Sequence, residues 1–218
     1  MKIFLDSINL DEIQKYQNIG IIDGVTTNPS LMSKSKINFS QMVEKLSQLV
    51  KGDISIEVVA ENFEGMVIEG EKIISLSSSD NVVIKLPITW DGLKACKYFS
   101  EKNYKVNMTL CFSANQALLA AKCGATYVSP FIGRLNDVGA DGAELIKDIK
   151  NIYQNYKFKT KILAASIRSI DHVFESALSG ADFVTITESI LELLVKHQLT
   201  DAGLKKFATD WKNSGMKI

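Results

Sequence analysis

The chain has 218 residues, 46% of them hydrophobic and 23% charged, the composition of a globular protein with a sizeable core rather than of a disordered or fibrous one. Its 25 basic and 25 acidic residues cancel to a formal net charge of zero, which argues against nucleic acid or a membrane surface as a partner. Three cysteines, Cys96, Cys111 and Cys123, have no C-x-x-C spacing and argue against a disulfide framework, so a reducing, cytoplasmic setting is expected. The opening stretch MKIFLDS reaches an acid at Asp6, too early for a signal-peptide core, and no run approaches the ~18 apolar residues of a membrane span. No linker or low-complexity break interrupts the chain, which reads as one domain over 1–218.

In chain order, KIFLD (2–6) is the first β-rich run and LDEIQKYQNI the first helical one. GVTTN (24–28) leads to FSQMVEKLSQLV (39–50), ISIEVV (54–59) to FEGMVIEGEKIISL (63–76), and NVVIKL (81–86) to WDGLKACKYF. KVNMTLCF (105–112) leads to SANQALLAAKC and ATYVSPF (125–131) to GAELIKDIKNIYQNY (142–156). TKILAAS (160–166) then precedes SIDHVFESALS, and DFVTIT (182–187) precedes ESILELLVKH. The β-rich runs are almost continuously apolar, as strands covered on both faces are, and the helical runs repeat apolar residues every three or four positions. Eight alternating units imply parallel strands with right-handed crossovers and predict an α/β fold, a (β/α)8 TIM barrel. The alternative, an open doubly wound sheet, lacks the G-x-G-x-x-G expected after its first strand. A ninth helical stretch, DAGLKKFATDWKNSG (201–215), adds a C-terminal helix whose stripe of Leu204, Phe207, Ala208 and Trp211 must pack on its own barrel or on a neighbouring subunit.

The three prolines, Pro29, Pro87 and Pro130, fall at or just beyond strand ends, where a missing N–H is tolerated. The polar residues beside them therefore belong to the C-terminal rim, where barrels carry their chemistry. In order these are Asp6, Thr26, Asn28, Glu57, Lys85, Asn107, Thr109, Ser129, Phe131 beside it, Ser166, Arg168 and Thr185. One buried polar residue alone is more often a satisfied core or cap residue. Their recurrence at equivalent strand positions points instead to a site.

Lys85 is the sharpest of them, because it interrupts the apolar NVVIKLP. Read structurally it snorkels or pairs with Asp6 or Glu57. Read functionally it is an amine whose charged form burial disfavours, able to attack a carbonyl and form a Schiff base. The nearby carboxylates favour the second reading, since imine chemistry needs acid and base groups beside the amine. Arginine usage gives another clue. Against 23 lysines the chain has two arginines, Arg134 and Arg168, each just past a strand end. With Ser166 they could clamp a phosphate; the competing reading is surface ion pairs with acids such as Asp137 or Asp171. His172 and His197 lie in helical patterns without metal-ligand spacing and read as partly exposed helix residues.

The segments FLD (4–6), DGVTTNPSL (23–31), VVIKLP (82–87), NMTLCFSANQALLAAKCGATYVSPFIGR (107–134), AASIR (164–168) and LTDAGLKKFATDW (199–211) resemble the small single-domain transaldolases and the related fructose-6-phosphate aldolases, almost end to end. The resemblance implies a cofactor-free Schiff-base enzyme that needs no metal. It makes Lys85 the imine-forming lysine, Asp6 the acid/base carboxylate, and Glu57 with Thr109 the holders of a catalytic water. Asn28 and Asn107 would orient the sugar hydroxyls, Thr26, Ser129 and Phe131 would line the pocket, and Arg134, Ser166 and Arg168 would bind phosphate. The implied reaction moves a dihydroxyacetone unit from a ketose phosphate to an aldose phosphate. The implied assembly is a homo-oligomer, a decamer of two pentamers that exchange C-terminal helices. Two alternatives stand beside it: an aldolase releasing free dihydroxyacetone, and a barrel that binds sugar phosphates without catalysis. The aldolases resemble this chain but carry Gln and Tyr where it has Glu57 and Phe131.

Overall fold

Each expected β-rich run forms one strand, and all but β1 are buried along most of their length. They are β1 (Lys2–Asp6), β2 (Gly24–Thr26), β3 (Asp53–Glu57), β4 (Val82–Pro87), β5 (Lys105–Cys111), β6 (Tyr127–Pro130), β7 (Lys161–Ala164) and β8 (Phe183–Ile186). Each pairs in parallel with the next, and β8 returns to β1, closing the barrel. The structure, a computed structural model, describes residues 1–217.

The helices are α1 (Leu10–Ile19), α2 (Pro29–Met32), α3 (Phe39–Leu49), α4 (Phe63–Leu76), α5 (Trp90–Glu101), α6 (Ala114–Lys122), α7 (Ile132–Asp137), α8 (Gly142–Asn155), α9 (Ile170–Leu178), α10 (Glu188–Leu193) and α11 (Gln198–Ser214). Short side chains start most of them: Asn9, Asn38, Asn62, Thr89, Ser113, Asp141 and Ser169 each accept a first-turn backbone N–H. Each such cap is worth about 1 kcal/mol and fixes where the chain turns back from the rim.

Differences from expectation lie at these turns. The strand expected over 24–28 stops at Thr26, because Asn28 leaves the ladder to cap α2, with Pro29 in its first turn. The strand expected to reach 131 stops at Pro130, and Phe131 keeps only a single bridge to Ala165 before α7 begins. The helix expected over 188–197 ends at Leu193, and His197 instead caps α11, its Nδ1 accepting Leu199 N–H at 3.1 Å. The helices α2 and α7 are four and six residues long, too short to show a helical period in sequence.

Two apolar layers result. A large one fills the space between strands and helices, from Leu5 and Ile13 round to Val184 and Ile190. A small one, Phe4, Val83, Tyr127 and Leu163 with Phe183 against them, plugs the N-terminal end of the barrel with edge-on rings. The last helix, α11, buries no residue: Leu204, Phe207 and Trp211 are exposed. Among the described residues no helix is long and apolar enough to cross a membrane.

Candidate active site

Side chains two residues apart on a strand share a face, so the residue two steps beyond each plug residue points into the barrel mouth. Phe4 is followed in this way by Asp6, Val83 by Lys85, Tyr127 by Ser129 and Phe183 by Thr185. Those four line one cavity of about 480 Å³. Thr26, Asn28, Glu57, Phe131, Arg134 and Ser166 line it too. Ten of the thirteen residues expected at the rim therefore meet in one cavity. Asn107, Thr109 and Arg168 do not line it.

Lys85 is buried, and its Nζ lies 3.0 Å from Glu57 Oε2. A second bond runs from Nζ to the backbone carbonyl of Thr27, at 2.9 Å. The side chains of Lys85 and Glu57 are 7% and 13% exposed, so little solvent screens the pair. The structural reading of this lysine holds, since it is paired with Glu57, and the same side chain lines the cavity.

Across the mouth, Asp6 Oδ1 accepts from Thr26 Oγ1 at 2.8 Å, and Thr26 Oγ1 lies 2.6 Å from Thr185 Oγ1. Burial pushes the Asp6 carboxyl above its ordinary value, and the Thr26 bond and the charge of Lys85 offset only part of that rise. An acid of this kind can hold a proton and can also take one from a substrate hydroxyl. Asn28 keeps its Oδ1 on Leu31 N–H at 2.9 Å, which leaves its amide NH₂ as the group free to donate.

Asn107 and Thr109 are fully buried. Asn107 donates to Ser55 Oγ at 2.9 Å and accepts from Ser129 Oγ at 2.8 Å, so it fixes Ser129 from below rather than facing the cavity. The Thr109 hydroxyl has no hydrogen-bond partner among the described residues, an uncommon condition for a buried polar atom.

On the far side, Arg134 lies with its guanidinium carbon 4.9 Å above the Phe131 ring centroid. Ser166 has φ +58°, the left-handed region, which costs a residue with a side chain about 1–2 kcal/mol. Gly133 makes this turn possible: its N–H donates to Ser166 O at 2.9 Å, and a Cβ there would stand 2.2 Å from that oxygen. Arg168 is half exposed and pairs with Asp137, one of the acids foreseen for a surface ion pair. Sequence reasoning missed the carbonyl of Thr27, Ala165 and Leu110. Leu110 also has positive φ, +57°, at the irregularity in β5, and lines the cavity with Ala165. Of these only Ala165 carried a hint, its place two residues beyond the buried Leu163. Among the described residues no group of three or more His, Cys, Asp or Glu side chains is gathered in a metal-binding arrangement.

The sequence matches named proteins along its whole length. The profile of the Transaldolase/Fructose-6-phosphate aldolase family matches residues 3–218. A protein of Bartonella tribocorum named probable transaldolase is 54% identical over 218 residues, covering the whole of both chains. A probable transaldolase of Brucella ovis is 53% identical, again over the full length of both. The chain therefore belongs to the transaldolase/fructose-6-phosphate aldolase family of enzymes.

Proposed function

We propose that this enzyme is a transaldolase that carries a dihydroxyacetone unit on Lys85 from a ketose phosphate, fructose 6-phosphate or sedoheptulose 7-phosphate, to an aldose phosphate, erythrose 4-phosphate or glyceraldehyde 3-phosphate. Such exchanges belong to the non-oxidative pentose phosphate pathway. One observation carries the reading: a buried amine held 3.0 Å from a carboxylate, in a cavity that also holds an acid raised by burial.

Lys85 gives a proton to Glu57 and attacks the C2 carbonyl of the donor with the freed lone pair. Loss of water leaves a protonated imine. Asp6 takes the proton of the C4 hydroxyl, the C3–C4 bond breaks, and its electron pair moves into the imine to give an enamine. The aldehyde fragment departs. An acceptor aldehyde is then attacked by the enamine carbon, Asp6 returns its proton to the new alkoxide, and hydrolysis of the imine frees the product and the lysine. A water shared by Glu57 and Thr109 would serve the dehydration and hydrolysis steps, and it would give the Thr109 hydroxyl its partner. No cofactor enters this scheme.

Arg134 and Ser166 form the phosphate end of the cavity. Arg168 joins them by exchanging its pair with Asp137, and an exposed ion pair of this sort is worth only about 0–1 kcal/mol. The exposed stripe of α11 fits a homo-oligomer, a decamer of two pentamers, in a cytoplasmic setting that keeps the free cysteines reduced. Light scattering of the chain shortened after residue 197 tests the assembly: an unchanged size rules out a role for α11.

Borohydride reduction in the presence of fructose 6-phosphate, followed by mass spectrometry, tests the chemistry. A dihydroxyacetone-sized addition on Lys85 is the expected result. Absence of any adduct would leave a sugar-phosphate binder, and continuous release of dihydroxyacetone without acceptor would leave an aldolase.

A further inference from the structure

The turn after β7 is tied to α7 at several points. Ile132 N–H donates to Ala165 O and Gly133 N–H to Ser166 O, both at 2.9 Å, and the Arg168 side chain runs past Gly133 to Asp137. Beyond them stands His172, in the first turn of α9, where the Ser169 cap accepts its N–H at 3.2 Å. The Arg168 backbone N–H donates to His172 Nδ1 at 3.3 Å. The other ring nitrogen lies 3.2 Å from Asn136 Nδ2, a donor to which it cannot bond while Nδ1 is the acceptor, and Asn136 Oδ1 accepts Gly142 N–H at 3.0 Å. A backbone N–H can only donate, so Nδ1 is the accepting nitrogen and the Arg168 bond is the defined one.

Ser166 sits inside this set of ties in its left-handed conformation. A strained residue persists only where its neighbours fix the chain on both sides. Gly133 holds the Ser166 carbonyl, and two residues later His172 holds the Arg168 amide.

We propose that His172 is a positioning residue for the phosphate end of the cavity: its Nδ1 fixes the turn from Ser166 to Arg168, and so sets where the Ser166 hydroxyl and the Arg168 guanidinium meet the substrate. This inference rests on the phosphate reading above. His172 touches no reacting atom. Its influence falls on phosphate recognition and leaves the imine chemistry at Lys85 alone.

His172→Leu removes the acceptor, and His172→Asn restores an acceptor oxygen near the place of Nδ1. The expected result for His172→Leu is a KM for fructose 6-phosphate raised about three- to tenfold, the scale of one hydrogen bond. Its kcat stays within about twofold, and half-saturation of borohydride trapping by unphosphorylated dihydroxyacetone does not move. His172→Asn returns the KM to within about twofold of the wild type. Circular dichroism and thermal melting confirm folding, with His172→Ala taking the place of a leucine variant that does not fold. An unchanged KM, an equal loss on both compounds, or a folded asparagine variant as poor as the leucine one would each overturn the proposal. Arg134→Ala separates the two levels. If it leaves the KM for fructose 6-phosphate unchanged, the phosphate reading itself fails; if it raises that KM while His172→Leu does nothing, only the positioning role fails.

Discussion

Lys85 and Glu57 are register partners on β4 and β3, and their charged ends meet at 3.0 Å inside the barrel mouth. Parallel pairing puts the two side chains on one face, so the contact follows from the register and needs no loop to adjust it. Glu57 is the carboxylate within reach of the amine's proton and at the same time the partner that makes its burial tolerable.

Lys85→Arg keeps a cation beside Glu57 and removes the nucleophile, because a guanidinium stays protonated in proteins. Turnover is expected to fall by about 10⁴-fold or more, the scale of losing a catalytic nucleophile. Borohydride with fructose 6-phosphate should add no mass, and circular dichroism should show an intact barrel. Normal turnover in a folded Lys85→Arg protein would refute the imine mechanism.

Asp6 links activity to stability with a definite sign. Burial raises its folded-state value above the ordinary 3.8, so between the two values the native state holds more protons than the unfolded chain. Stability therefore falls as pH rises through that window and stays lowered above it. Asp6→Asn keeps an acceptor for Thr26 and carries no charge. It should raise Tm at pH 7 by about 2–4 °C, the scale of about 1 kcal/mol in a chain of this length, while abolishing carbon–carbon cleavage. The gain should shrink as pH falls through the window and vanish below 3.8, where wild-type Asp6 is protonated in both states. A Tm difference that does not change with pH would mean that the buried charge is not its cause.

The barrel was legible because its strands are continuously apolar and its helices carry a clear period. Lys85 was legible for the same reason, as one charge set within such a run. What escaped had no side-chain signature. The Lys85 contact with Thr27 is to backbone, so any residue at that position would supply it. Leu110 takes positive φ although leucine gives no sign of it, and α2 and α7 span barely one turn or two. The burial of Asn107 beneath Ser129 also escaped, since position on a strand gives the face of a residue but not its depth. Arg168 was foreseen both as a phosphate ligand and as an ion pair with Asp137, and the second is its state here.

That ion pair yields a prediction of its own. If Arg168 leaves Asp137 to meet phosphate, then Asp137→Asn should ease the exchange and lower the KM for fructose 6-phosphate by up to about threefold, within the worth of an exposed pair. Arg168→Ala should raise it about 10- to 100-fold, the loss of a charge-assisted bond worth about 1.5–3 kcal/mol. Neither change should alter trapping of unphosphorylated dihydroxyacetone. Steady-state kinetics on both compounds checks this, and an Arg168→Ala loss equal on both would assign the residue to the fold alone.

On the proposed mechanism, Phe131 is the residue expected to decide between transfer and release. Its ring lines the cavity, meets Phe112 edge-on at 5.6 Å between centroids and lies beneath the Arg134 guanidinium. Release of free dihydroxyacetone requires the enamine carbon to be protonated before the imine is hydrolysed, so it needs a proton donor beside that carbon. Phenylalanine offers none, an ionised Glu57 is an acceptor only, and the proton on Asp6 is the one that the proposed mechanism delivers to the alkoxide oxygen rather than to carbon. The enamine should then persist until an aldehyde reaches it, and the wild type should release glyceraldehyde 3-phosphate continuously only when erythrose 4-phosphate is supplied. Phe131→Tyr adds one phenolic hydroxyl at the same ring. Acceptor-independent cleavage of fructose 6-phosphate should rise about 10- to 100-fold, at or below the low end of the range for one positioned acid, while transfer to erythrose 4-phosphate falls or holds. A coupled assay for glyceraldehyde 3-phosphate, run with and without erythrose 4-phosphate, measures both rates. Equal wild-type rates in the two conditions would replace the transaldolase reading with the aldolase one, whatever the tyrosine variant does.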